Sequence, residues 1–114
     1  PQGGLVTTVQ KIRNEPDLVL RTVKAALMAN RFLKENKSEF MKLLAKESGV
    51  NDPVVAGLIH EEIVKLYSDT GLVSDEAMQE FIANSKEALK VSREVSISEV
   101  ADFSFARRAM SELK

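Results

Sequence analysis

The sequence predicts a mainly α-helical chain, with five to six helices and one short N-terminal strand, in a single helical unit that spans residues 1–114. Apolar residues recur three or four positions apart in successive stretches, which is the spacing of one helix face. The three prolines and most of the five glycines fall between those stretches, where residues that break helices belong. At 114 residues, the chain has the size of one modest domain with one core.

One stretch near the N-terminus predicts a strand instead. Residues 5–9 read LVTTV, which is rich in the β-branched residues that strands favour, and they follow a loop that contains Gly3 and Gly4. No second stretch of this kind occurs in the chain, and a strand without a partner leaves its backbone donors and acceptors unsatisfied. We therefore expect the strands that pair with it to lie outside this sequence.

The first helix is predicted to begin after Asn14 and to run to about Asn36. Asn14 can cap it, Pro16 presets φ in the first turn, and Asp17 meets the positive end of the helix dipole. Its apolar positions cover a wide surface, which predicts burial on more than one side. Those positions are Val19, Leu20, Val23, Ala26, Leu27 and Leu33.

Two further helices follow. The second is short: Asn36 is its predicted cap, Glu39 reaches back to that cap, and Gly49 ends it. The third begins with Asp52 as cap and Pro53 in the first turn, and extends as far as Ser68. The residues predicted to face inward are Phe40, Leu43 and Leu44 in the second helix, and Val55, Leu58, Ile59, Glu62, Ile63 and Leu66 in the third.

The remaining helices lie after Gly71. Ser74 caps the fourth helix, and the tail is predicted to form two short helices, one capped by Ser98 and one that starts after a break near residues 103–104. The predicted inward residues are Met78, Phe81, Ile82, Ser85 and Leu89 in the fourth helix, and Phe105, Ala109, Met110 and Leu113 in the last. We expect Phe103 and Phe105 to belong to the core rather than to a docking motif.

Composition excludes several classes of function. The chain has 16 Lys and Arg against 17 Asp and Glu, a formal net charge of −1, so it carries no basic stripe for nucleic acid and no polybasic segment for a membrane surface. It has no cysteine, and therefore neither a disulfide framework nor a thiolate metal site. No run of about 18 apolar residues predicts direct insertion into a membrane.

The residues that could carry chemistry do not form a recognisable constellation. His60, Glu61 and Glu62 begin like a zinc-protease helix, but position 64, where the second histidine would stand, is Val64. No nucleophile stands in an elbow motif beside a base, so we expect neither an enzyme nor a bound metal or cofactor. The carboxylates considered for acid–base work are Asp17, Glu61, Glu62, Asp75, Glu76 and Asp102.

Several segments resemble one family. Residues 98–109 read SEVADFSFARRA, which is similar to the C-terminal end of substrate-binding proteins of ABC importers, the group that binds nitrate, sulfonates, taurine and thiamine pyrimidine precursors. Further motifs of that family have similar counterparts in this chain, in the same order. The counterparts are residues 16–19 with 23–27, residues 49–56 and residues 71–81. The resemblance covers the chain from about Gly3 to Leu113.

The resemblance implies that this chain is the C-terminal portion of one lobe of a two-lobed α/β periplasmic-binding-protein fold. The full-length protein would then be a periplasmic or otherwise extracytoplasmic receptor that closes around a small-molecule solute and delivers it to an ABC permease. The candidate ligand-binding residues here are Gly4, Thr7 and Thr8, at the end of the predicted strand. We expect the 114-residue chain alone to bind no solute and to self-associate through the surface that the other portion would cover.

A second interpretation stays open. The chain could be a free-standing helical interaction module that docks a partner through its first helix or through the tail at Phe103 and Phe105. The two interpretations differ in what they require upstream of Pro1: the receptor needs a longer reading frame with a signal peptide, and the module does not.

Overall fold

A computed structural model describes residues 3–113 and contains seven helices within them. Their bounds are α1 Val9–Asn14, α2 Pro16–Glu35, α3 Lys37–Ser48, α4 Pro53–Leu66, α5 Asp75–Leu89, α6 Ile97–Val100 and α7 Ser104–Glu112. The prediction of a mainly helical chain is confirmed. Because α1 was not foreseen, there is one helix more than the five to six predicted.

The predicted N-terminal strand is wrong. Residues 3–7 adopt no regular structure, and Val9, its last residue, opens α1 instead. The Thr8 hydroxyl accepts a hydrogen bond from the Lys11 backbone N–H at 3.0 Å, which caps the helix. Residues 3–113 offer no strand to pair with, so local capping decides the conformation of Thr8 and Val9 over their β propensity.

The predicted helix ends are right in some places and shifted in others. Asp52 caps α4 through the N–H groups of Val54 and Val55, and Ser74 caps α5, both as predicted. Gly49 ends α3 with φ of 70°, a conformation that glycine adopts without strain. Asn36 stands at the N-cap position of α3 as predicted, but its side-chain amide donates back to the Phe32 carbonyl and does not cap the helix. The predicted caps Asn14 and Ser98 were wrong: Asn14 is the last residue of α1, and Ser96 caps α6.

The core lies between α2 and α7. Leu20 and Leu27 of α2 are buried against Ala109 of α7, whose side chain is completely covered. Val23, Phe105, Met110 and Leu113 pack around them. Helix α2 also packs against α1, α3 and α4, which confirms the prediction that its wide apolar surface is buried on more than one side.

Helix α4 is rotated from its predicted orientation. Ala56 and His60 are its buried residues, whereas Val55, Leu58 and Leu66, predicted to face inward, are exposed. The side of α4 that carries Ala56 and His60 faces the neighbouring helices. Ala56 is small enough to let α3 approach closely, and the His60 ring has a polar partner there.

The molecule is open rather than close-packed. Its Cα radius of gyration is 16.8 Å, against about 13 Å for a compact domain of the same length. Its accessible surface is 8417 Å², against about 6,200 Å² for a compact monomer of the same mass. Helix α5 packs against α6 and against no other helix in the part of the chain that the structure describes. Within residues 3–113 no helix is both long and apolar enough to cross a bilayer.

Candidate functional site

The predicted ligand-binding residues lie at the exposed N-terminal end. Gly4, Thr7 and Thr8 are all solvent-exposed, and no atom lies within 4 Å of where a side chain on Gly4 would begin. The Thr8 hydroxyl already accepts the capping bond of α1. None of these three residues lines the groove between α3 and α4 or the groove between α5 and the segment before α6. Their role as ligand-binding residues stays a prediction.

His60 has a structural role. Its side chain is buried, its Nε2 lies 2.8 Å from the Leu33 carbonyl oxygen, and its ring packs at 5.3 Å from the Phe40 ring. Leu33 stands in the last turn of α2, where carbonyl groups have no partner within the helix. His60 therefore satisfies one of these carbonyls and joins α4 to α2 and α3. Within residues 3–113 no three side chains of His, Cys, Asp or Glu are grouped as a metal site would require.

Asp102, one of the carboxylates considered for acid–base work, has a capping role. Asp102 accepts hydrogen bonds from the Ser104 hydroxyl at 2.6 Å and from the Ser104 backbone N–H at 2.9 Å, at the start of α7. These two bonds, with a smaller effect of the Arg107 charge, hold the pKa of Asp102 below its ordinary value. The geometry orders the turn between α6 and α7.

A second carboxylate ties α7 to α2. Glu112 forms ion pairs with Lys24 of α2 and with Arg108 of its own helix. The hydrogen bonds from Lys24 and then Arg108 lower the pKa of Glu112. The pairing lies at the edge of the α2–α7 core and fixes how the two helices are aligned.

Two surface grooves stand out among the described residues. One, of about 600 Å³, lies between α3 and α4 over an apolar floor that includes Met41, Ala45 and Ala56, with Lys37 and Lys42 at its rim. The other, of about 590 Å³, lies between α5 and the segment before α6. Both volumes fall in the range of small-molecule sites, about 300–1,000 Å³. Neither of these two grooves is lined by a histidine.

The most prominent surface feature is one side of α4. The residues Val54, Val55, Leu58 and Leu66 point outward, and we call them the outward α4 face. Their exposed fractions are 71%, 44%, 58% and 60%. The charged residues on that side include Glu62 and Lys65, which form an ion pair at 2.8 Å. The sequence pattern predicts Val55, Leu58 and Leu66 as core residues and does not single out Val54. Spacing alone does not reveal which of two apolar sides of a helix meets the next helix.

The comparisons with known proteins give no relative. No protein-family model, no curated protein and no solved structure matches the chain.

Proposed function

We propose that this chain is part of an extracytoplasmic solute-binding receptor that delivers a small molecule to an ABC importer. The motifs in residues 16–19, 23–27 and 98–109, which resemble that receptor family, carry the proposal. In this protein the solute is bound only by the full-length receptor, between two lobes, and the chain contributes one helical part of a lobe. No covalent chemistry is involved.

The placement of the two motif segments supports the proposal. They are about 80 residues apart in the sequence, yet Leu27 of one packs against Ala109 of the other. Two residues of the second segment also have structural roles. Glu99 completes the capping box of α6, and Asp102 orders the start of α7. Two of the similar residues, Leu27 and Ala109, thus lie in the core of this helical unit.

The large exposed surface also supports the proposal. The chain exposes about 2,200 Å² more than a compact monomer of its mass. Large apolar residues that are exposed include Leu5, Val6 and the outward α4 face. Monomeric proteins rarely leave extended apolar patches in water. A lobe of a larger receptor supplies the further polypeptide that would cover such surface.

The test is to tag the chromosomal gene in the source organism directly after Lys114. The receptor proposal expects a tagged product well above 12.6 kDa that is released from the cell envelope by osmotic shock. A tagged product of about 12.6 kDa that stays with the cytoplasm contradicts the proposal. The permease contact is read separately, by crosslinking before extraction.

A free-standing helical interaction module is the second candidate. The outward α4 face favours it, because an apolar helix side is a surface on which a partner helix can dock. The tail is less suited to docking, since Phe105 packs against the α2–α7 core. The same tagging experiment separates the candidates: a small product that is not exported, and that pulls down a partner lost on Leu58→Glu, favours the module.

A further inference from the structure

We propose that residues 74–101, which contain α5 and α6, form an arm that moves as one unit on two neighbouring joints, at residues 72–73 and between residues 101 and 102. The other helices, α1 to α4 and α7, form the body from which the arm extends. The inference does not rest on the proposed receptor function, because it uses only contacts among the described residues.

No helix of the arm packs against a helix of the body. Within residues 3–113, α5 packs only against α6, and α6 packs only against α5. In the body, by contrast, α2 packs against each of the four other helices. Packing between helices therefore fixes the arrangement of the body and leaves the orientation of the arm free.

The polar contacts of the arm also stay within it. Lys86 pairs with Glu94 at 3.7 Å, and Arg93 pairs with Glu99 at 2.9 Å. In the part of the chain that the structure describes, no hydrogen bond or ion pair joins residues 74–101 to the body. A change in the orientation of the arm would therefore break none of these contacts.

The arm has buried apolar residues of its own. Met78 and Ile82 are 5% and 7% exposed, and neither belongs to the α2–α7 core. Ile82 lines the groove beside α5 together with Val95 and Ile97 of the segment that returns along the helix. Parts of a protein with separate clusters of this kind open and close independently of one another. The arm can thus keep its internal structure while it moves.

The first joint is bounded by contacts to the body. Residues 68–69 are tied to α2 by a hydrogen bond from the Asn30 amide at 2.9 Å and an ion pair with Lys34 at 2.8 Å. A side chain on Gly71 would lie 3.4 Å from atoms of both α2 and α7, so the chain follows the body to this point. Residues 72–73 then lead directly to the cap of α5 and form the joint.

The second joint lies beside the first. The Ala101 N–H closes the last turn of α6 with a hydrogen bond of 2.9 Å, whereas Asp102 binds the hydroxyl and N–H of Ser104 at the start of α7. The bonding thus changes from arm to body between residues 101 and 102. Gly71 lies against Ala106 in the first turn of α7, which brings the two joints together. Residues at the ends of elements are where hinges absorb a change of backbone angle.

The test measures distances between pairs of spin labels in the 114-residue chain by electron paramagnetic resonance. The sequence has no cysteine, so each pair is introduced as two cysteine substitutions. Met28→Cys with Leu89→Cys spans the body and the arm. The matched controls are Met28→Cys with Ser111→Cys inside the body and Leu89→Cys with Val100→Cys inside the arm. All four side chains are exposed, so the labels disturb neither core.

The pair that spans the body and the arm should give a distance distribution at least about twice as broad as either control pair. A distribution as narrow as that of the body pair means that the arm is fixed, and it overturns the proposal. An equally broad distribution for the pair inside the arm also overturns it, because the arm would then unfold rather than move as a unit.

Hydrogen exchange with Ile82→Ala gives an independent readout. This variant should speed amide exchange in α5 and α6 by on the order of tenfold and leave α2 and α7 unchanged, because the arm opens without the body. The matched control is Leu89→Ala, which truncates a side chain that is 75% exposed on the same helix and should change neither part. Equal acceleration in arm and body, or none in α5, contradicts a separate arm.

Discussion

The α2–α7 core gives the sharpest test of how this chain is held together. Leu27 is only 3% exposed, lies in the same cluster as Leu20 and Ala109, and places its Cδ2 within 3.4 Å of the position that a side chain on Gly71 would take. Truncation to Ala therefore opens a cavity among α2, α7 and the loop before α5. Gly71 has no side chain that could move into the space.

The expected cost follows from this burial. Leu→Ala substitutions at buried sites cost about 2.7–5.0 kcal/mol, and the cost increases with the volume that the surroundings fail to refill. We expect Leu27→Ala to lower the free energy of unfolding by about 3–4 kcal/mol. Because a domain of this size has about 5–15 kcal/mol in total, the variant should lose a large fraction of its stability.

The assay is urea unfolding followed by circular dichroism, which suits a helical chain without tryptophan. The matched control is Met28→Ala, one residue along the same helix, where the side chain is 57% exposed and truncation should cost less than about 1 kcal/mol. Both variants are measured at equal protein concentration, because association would add to the apparent stability. A Leu27→Ala variant within about 0.5 kcal/mol of the unsubstituted chain, or no difference between the two variants, refutes the assigned core.

Three further predictions concern polar contacts and one strained residue. His60→Ala should cost about 2 kcal/mol in urea unfolding, because it removes a buried ring and leaves the partly buried Leu33 carbonyl without its partner; a cost near zero would contradict the contact. Asp102 has a lower pKa in the folded chain than its ordinary value of 3.8, so its stabilising effect is present above that value and is lost as pH falls through the folded-state pKa. The unfolding midpoint of Asp102→Asn should therefore fall less steeply below about pH 5 than that of the unsubstituted chain, and parallel curves would refute this. Lys90 has φ of 55° after α5, so Lys90→Gly should stabilise the chain by about 1 kcal/mol, while Lys90→Ala, which keeps the strain, should not.

Much of the helical architecture could be predicted from local sequence. Asp52 and Ser74 lie directly before apolar helical stretches, Gly49 follows one, and each ends or begins a helix as the local chemistry dictates. The prediction failed where two local solutions compete. Asn36 can cap α3 or bond back to α2, and it does the second, because its amide reaches the Phe32 carbonyl at 2.9 Å.

Tertiary context decided the remaining differences. Val55 and Leu58 share a helical face with Ile59 and Ile63, and periodicity alone cannot tell which half of a broad apolar surface meets its neighbour. The burial of His60 could not be predicted from its acidic neighbours Glu61 and Glu62, because its partner Leu33 is distant in sequence. The grooves could not be foreseen for the same reason, since each is formed by segments whose packing angle is not encoded in either segment alone.

The outward α4 face gives a test of the receptor proposal. If the chain is part of a larger receptor, the polypeptide that completes the lobe covers apolar surface that the 114-residue chain exposes, because a covalently linked segment is present at a far higher effective concentration than a second molecule. Leu58 is 58% exposed in this chain, so Leu58→Glu should change the free energy of unfolding of the 114-residue chain little and destabilise a longer product more. An equal effect in both forms means that the receptor covers other surface, first around Leu5 and Val6, which are 61% and 95% exposed.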